Sequence, residues 1–261
     1  MSGELEQAGR LAAESGGAGS PTLLLLHGLG TNAAVWHGFE EVLSRHWPGR
    51  WVAPDFRGHG RSFHRGPYAA AVHAADVAGL LEQDTETVVL GHSMGGLVAM
   101  VLGTGWFGIK VRQVIALGTK LEWRPEEVAK WRERGSNGLG RWFEKRKEAI
   151  DLYLRSSGLQ GLIAPDSPIA EAGIAQEGGK FRLAMDPAAA RMAGGAPAEK
   201  VFAAMRAPLR MMAGDADPLV TAEQMKRYDP EPILLPGLSH NAHVQAPESL
   251  WKAVEAVLRT A

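Results

Sequence analysis

Short apolar runs return along the chain at TLLLLHG (22–28), WVAPDF (51–56), TVVLGHS (87–93), VRQVIALG (111–118), LRMMAGD (209–215) and EPILLPG (231–237), bounded by Gly, Pro or Asp. A run this continuous puts apolar side chains on both sides of an extended chain, which suits a strand covered on both faces, as in a mostly parallel sheet. Between the runs the period changes to that of helices. After Pro67, Val77, Leu80 and Leu81 share a face, and near the end Leu250, Ala253, Val254, Val257 and Leu258 recur at three and four residues. Strands alternating with helices predict an α/β fold, a mostly parallel central sheet flanked by helices and joined by right-handed crossovers. The stretch GELEQAGRLAAESGG carries a weaker strand or hairpin signal, and no internal repeat is visible.

From Thr119 to Ala207 no such run occurs, while Val128 with Trp131, and Ala149, Ile150, Tyr153 and Leu154, keep helical spacing. Punctuation at SNGLG, APDSP and MAGGAP divides this interval into three or four short helices. Residues 119–207 therefore read as a helical cap subdomain inserted into a core made of 1–118 and 208–261. Such an insertion belongs over the ends of the strands, where open α/β sheets bind ligands. A chain of 261 residues that is 45% apolar can bury the core that a domain of this kind needs. Its net charge of -1 offers nothing to steer it toward nucleic acid or an anionic membrane. Cysteine is absent, which excludes disulfides, thiol catalysis and cysteine-held metals and fits a reducing compartment. The first residues lack a basic start followed by an apolar run, and no segment nears the roughly 20 apolar residues that span a bilayer. The expectation is a soluble, cytoplasmic protein.

At GHSMG, Gly91 to Gly95, a serine sits between glycines where a strand run gives way to a helical one. The pattern G-x-S-x-G in that setting is a nucleophile elbow: the turn is so sharp that the serine backbone is strained and only very small neighbours fit. In return the hydroxyl of Ser93 stands exposed, and the backbone N–H of Met94 can face a developing oxyanion. The plainer alternative is a glycine-rich turn with a serine N-cap. A nucleophilic serine needs a base and an acid, and both follow in order: GDADPLV after the LRMMA run, then LSHNAHVQAPES after ILLPG. Asp215 and Asp217 compete for the acid, with Glu122 after VIALG a third candidate, and His240 competes with His243 for the base. The remaining histidines, His37, His46, His64, His73 and His92, show no metal-ligand spacing and read as core or surface residues, so no metal is expected.

The chain resembles the α/β-hydrolases of single-domain, helical-cap type, from about Thr22 to Leu258. The resemblance is carried by HGLG (27–30), DFRGHGRS (55–62), GHSMGG (91–96), GDADPLV (214–220) and PGLSH (236–240). It implies a triad of Ser93, Asp217 and His240, Asp217 because the acid of similar hydrolases sits three residues after the glycine, and His240 because it follows PGLS. It also implies that Leu29 gives a second oxyanion N–H beside Met94, that His27 is structural, and that Asp55 and His59 hold loops together.

A serine at the elbow implies an acyl-enzyme, whereas haloalkane or epoxide substrates would call for an aspartate there. The expected function is hydrolysis of a small or medium carboxylic ester or lactone, with that small molecule as the partner and no cofactor. Carbon-carbon cleavage of a vinylogous diketone, perhydrolysis, and a slow receptor-like hydrolase are the alternatives; HGLGTN lacks the extended oxyanion loop usual among the carbon-carbon hydrolases. Trp123, Trp131, Trp142, Phe143 and Met185, with Met192, offer apolar surface for the substrate; the plainer reading of any single one is the cap's own core. The run RWFEKRKEAID interleaves basic residues with Glu144, Glu148 and Asp151, the signature of a solvated helix face.

Overall fold

The computed structural model describes residues 11–192, 194 and 197–260. Its strands are β1 (Ala13–Gly16), β2 (Thr22–Leu26), β3 (Trp51–Pro54), β4 (Glu86–His92), β5 (Lys110–Leu117), β6 (Ile174–Glu177), β7 (Lys180–Leu183), β8 (Leu209–Gly214) and β9 (Ile233–Leu235). Every predicted run forms a strand of one sheet, in the order β1-β3-β2-β4-β5-β8-β9. All pairings in it are parallel except that of the edge strand β1 with β3. The weak N-terminal signal has its reason in that edge position: β1 alternates exposed and half-buried residues and carries no apolar run.

The core shows why the runs are continuous. Leu23, Leu25, Val88, Leu90, Ile115 and Leu117 point to one face, against Trp36, Phe39 and Val254. Leu24, Leu26, Val89 and Val114 point to the other, against Phe56, Val98 and Met100. Each such leucine taken fully out of water contributes about 1.5–3 kcal/mol, so both faces must stay apolar. The last helix, Pro247–Thr260, buries Leu250, Val254 and Val257 of the predicted stripe together with Trp251. The helix expected after Pro67 begins later, at Ala70, and stops at Ala78, leaving Leu80 and Leu81 beyond the Gly79 cap.

Between β5 and β8 the chain forms the helices Pro125–Asn137, Arg146–Ser156, Pro168–Ala172 and Ala198–Ala204 and a 3-10 turn at Pro187–Met192. Ala149, Ile150, Tyr153 and Leu154 are the buried face of the second. The antiparallel hairpin β6-β7 was not expected, because its strands carry only exposed or half-buried residues apart from Leu183. Its signal is the turn Gly178-Gly179, both residues at positive φ, as a tight two-residue hairpin turn requires. The insertion is stitched to the sheet's loops. Asn32 Nδ2 donates to Ala172 O (2.8 Å), Gly60 N–H to Ala184 O (2.7 Å) and Asp186 N–H to Gly58 O (2.7 Å). Among the described residues no helix is long and apolar enough to cross a membrane.

Candidate active site

The chain leaves β2 for β3 on one side of the sheet and then returns to β4 on the other. A crevice opens at the carboxyl ends of strands where such a reversal occurs. HGLG follows β2, Ser93 follows β4, Asp217 lies three residues after the end of β8, and His240 lies five after β9. A cavity of about 300 Å³ lies there, lined by Leu29, Ser93, Met94 and His240.

Ser93 sits at φ 52°, ψ -115° and is the single non-glycine residue at positive φ among the described residues. The strain is imposed by the turn: a Cβ on Gly91 would fall on the carbonyl of Gly95, and one on Gly95 would fall on the carbonyl of Leu26. Met94 opens the helix Met94–Leu102, so its N–H belongs to the first turn, which has no intrahelical acceptor. Leu29 borders the same cavity from the β2 side.

His240 Nδ1 lies 2.9 Å from Asp217 Oδ2, whose side chain is fully buried. The other carboxylate oxygen, Oδ1, accepts the N–H of Leu219 (2.8 Å). A carboxylate accepting at Nδ1 fixes the neutral tautomer with its proton on that atom, so Nε2 keeps a lone pair. The competing residues are engaged elsewhere. Asp215 Oδ1 accepts from Gly237 N–H (2.7 Å), and Glu122 pairs with Arg227 (2.7 Å). His243 is buried between Trp36 and His92, ring centroids 4.5 and 4.3 Å away, and burial pushes its pKa down to about 3.

Supporting residues surround the pair. His27 Nε2 accepts from Phe56 N–H (3.0 Å) and Nδ1 donates to Gly28 O (2.8 Å), which ties the HGLG loop to the end of β3. Burial pushes its pKa down to about 4, so it stays neutral in that role. Asp55 Oδ1 accepts from Ala33 N–H (2.8 Å) and Oδ2 from Arg61 N–H (2.9 Å), closing the loop after β3. His59 packs edge-on against His27 at 5.2 Å.

Sequence reasoning assigned His92 to core or surface. It lines the cavity, and its Nε2 donates to the carbonyl of His240 (3.0 Å), joining the serine strand to the histidine loop. Asn241 also went unnoticed: its Nδ2 donates to the carbonyls of Ser157 and Gly158, 3.0 Å each, clasping the insertion to the same loop. Gly118, at the end of β5 with φ 57°, leaves room for the pair, since a Cβ there would stand 3.2 Å from His240 Nδ1 and 3.3 Å from Asp217 Oδ2. The glycine closing VIALG was its signal.

Of the expected substrate-contacting residues, Trp123 and Trp131 line the cavity, their rings edge-to-face at 6.3 Å, together with Met192. Trp142, Phe143 and Met185 do not. Trp142 lies on the surface beside Arg182, Phe143 bridges to Phe181 of β7, and Met185 is buried in a bridge to His59. Each is held by the hairpin or the segment after it, for which the sequence reading had no place.

Among the described residues Glu14, His37 and Glu40 have metal-ligand spacing, their donor atoms lying within 4.8 Å of one another. The group stands apart from the cavity. Arg61 Nη2 lies 2.9 Å from Glu14 Oε1 and supplies the positive charge there.

A model of the alpha/beta hydrolase family matches residues 23–253. Lipase LipV of Mycobacterium tuberculosis is 38% identical over 90 residues, 33% of this chain and 33% of that protein. The pimeloyl-[acyl-carrier protein] methyl ester esterase of Yersinia enterocolitica is 33% identical over 138 residues, 49% of this chain and 52% of the esterase. The matches to curated relatives such as these span from 24% to 52% of the relatives' length. Among solved structures, E-2-(acetamidomethylene)succinate hydrolase superposes with a TM-score of 0.80 at 25% identity, covering 97% of both chains.

Proposed function

Because the chain belongs to the alpha/beta hydrolase family, we propose that it is a serine hydrolase cleaving a carboxylic ester or lactone through an acyl-enzyme. The observation that carries this reading is the 2.9 Å Asp217–His240 hydrogen bond beside the cavity that the strained Ser93 lines. His240 Nε2 takes the Ser93 proton as Oγ attacks the carbonyl carbon, and the N–H groups of Leu29 and Met94 stabilise the oxyanion. The imidazolium, steadied by Asp217, then protonates the departing alkoxide. A water deprotonated by His240 attacks the acyl-enzyme and releases the acid. The insertion 119–207 acts as a cap, with Trp123 and Trp131 holding the apolar part of the substrate. The names of the relatives, a lipase and a methyl ester esterase, support ester chemistry.

The test is turnover of 4-nitrophenyl acetate and butyrate by the wild type and Ser93→Ala. A working triad predicts a loss of about 10⁶ in kcat. Equal rates in the two proteins reject the assignment.

A further inference from the structure

Among the described residues the ionisable side chains lining the cavity are His92, Lys120, Arg155 and His240, with no aspartate or glutamate beside them. These four differ in the charge they offer. His92 is held neutral by burial and by its histidine neighbours, its pKa well below the ordinary value. His240 is bonded to Asp217. Lys120 is compensated, its Nζ 2.7 Å from Glu127 Oε1 and its charge lying over the Trp123 ring at 5.2 Å. The guanidinium of Arg155 has no hydrogen bond or ion pair among the described residues.

An arginine in the last turn of a helix is ordinarily explained by the helix dipole, and Arg155 occupies that place in Arg146–Ser156. Two facts add to this. The residue, though exposed, borders the cavity, whose described lining holds no carboxylate to pair with it. The end of its helix is also held beside the histidine loop, because the carbonyls of Ser157 and Gly158, two and three residues on, both accept from Asn241, the residue next to His240. The base of this side chain is thus anchored at the rim of the same cavity that Ser93 and His240 line, with its guanidinium free to reach an anion there. The apolar part of the lining, with Leu97, Trp123, Trp131 and Met192, suits an uncharged spacer.

We propose that the substrate carries an anionic group beyond an apolar spacer, and that Arg155 is the specificity-determining residue that binds it. This rests on the ester-hydrolase reading above. Guanidinium binds carboxylate and phosphate alike, as a two-point, charge-assisted hydrogen bond.

The experiment compares kcat/KM for chain-matched neutral and anionic esters. One arm puts the carboxylate on the acyl side, with 4-nitrophenyl half-esters of glutaric and adipic acid against 4-nitrophenyl butyrate and pentanoate. The other puts it on the alcohol side, with 4-butyryloxybenzoate against phenyl butyrate. Wild type is expected to favour the anionic member in one arm by about tenfold or more. Arg155→Gln should bring that ratio close to one, Arg155→Lys should retain part of it, and raising the salt should shrink it in the wild type. Inhibition by adipate against hexyl phosphate separates a carboxylate from a phosphate. A wild type without anionic preference in either arm, or Arg155→Gln with an unchanged preference, overturns the proposal. Ser93→Ala is run beside these: activity surviving that change sinks the serine-hydrolase reading, while the Arg155 ratios speak to the anion alone.

Discussion

His73 lies on the inner face of the helix Ala70–Ala78, with 0% of its surface exposed and its ring edge-on to Phe56 at 4.9 Å. Neither ring nitrogen has a hydrogen-bond partner among the described residues. Burial pushes its pKa down from 6.5 to about 3, helped by His27 and Arg57, so it stays neutral in the fold while the unfolded chain takes up a proton below pH 6.5. The unfolded state therefore binds more protons between the two values, and stability that is whole above pH 6.5 is lost as the pH falls toward 3. At pH 5 this one side chain costs about 2 kcal/mol relative to pH 7.5. Replacing it by leucine, a good helix former of similar size, removes the titration and two unsatisfied nitrogens. Urea unfolding of wild type and His73→Leu at pH 7.5 and 5.0 gives four free energies. Wild type should lose about 2 kcal/mol more than the variant between the two pH values, groups common to both proteins cancelling in the double difference. Parallel pH dependences would show that His73 is already charged or solvated in the fold and would refute the reasoning.

Asp217→Asn should lower kcat by about 10⁴-fold, since an amide presents the wrong partner to Nδ1, while Asp215→Asn should leave kcat within about tenfold; the reverse order in a 4-nitrophenyl butyrate assay would move the acid to Asp215. Glu40 stands beside Glu14, and burial and that charge push its pKa up from 4.5 to about 8. Its folded value lies above its unfolded one, so wild-type stability declines as pH rises from 4.5 to about 8. Glu40→Gln should flatten that slope and raise the unfolding midpoint at pH 8, and an unchanged midpoint would place the carboxyl in water.

Legibility followed burial on two sides. Leu23 to Leu26 are wholly buried, alternate residues serving opposite clusters, and such a strand announces itself as an unbroken apolar word. The hairpin β6-β7 satisfies its backbone in the same way but lies in the insertion, where Gln176 and Lys180 cost nothing to expose. Its sequence therefore carries no hydrophobic period, and the Gly178-Gly179 turn is the trace that remains. The same reason weakened the signal of β1. The helix after Pro67 ends sooner than its apolar pattern suggests, because Leu80 and Leu81 extend that pattern past the point where Gly79 ends it.

The candidate site divides along a different line. Ser93, Asp217 and His240 sit on short segments whose chemistry is local: a turn too tight for side chains, an acid after a strand, a histidine after a Pro-Gly turn. Their supports are not local. His92 acts through the carbonyl of His240, 148 positions away, and Asn241 through carbonyls 83 and 84 positions back, and neither bond leaves a mark in the spacing of either segment. Trp123 and Trp131 reach the cavity while Trp142, with the same side chain, does not; what separates them is the hairpin that draws Trp142 and Phe143 outward. Arg155 shows how far such placement can carry meaning. Within the helix it is one more basic residue in a last turn, and the clasp of Asn241 on the carbonyls of Ser157 and Gly158 is what holds that turn at the cavity. On the proposals above, the elbow attacks the bond while Arg155, from the insertion, chooses among substrates by where their charge lies.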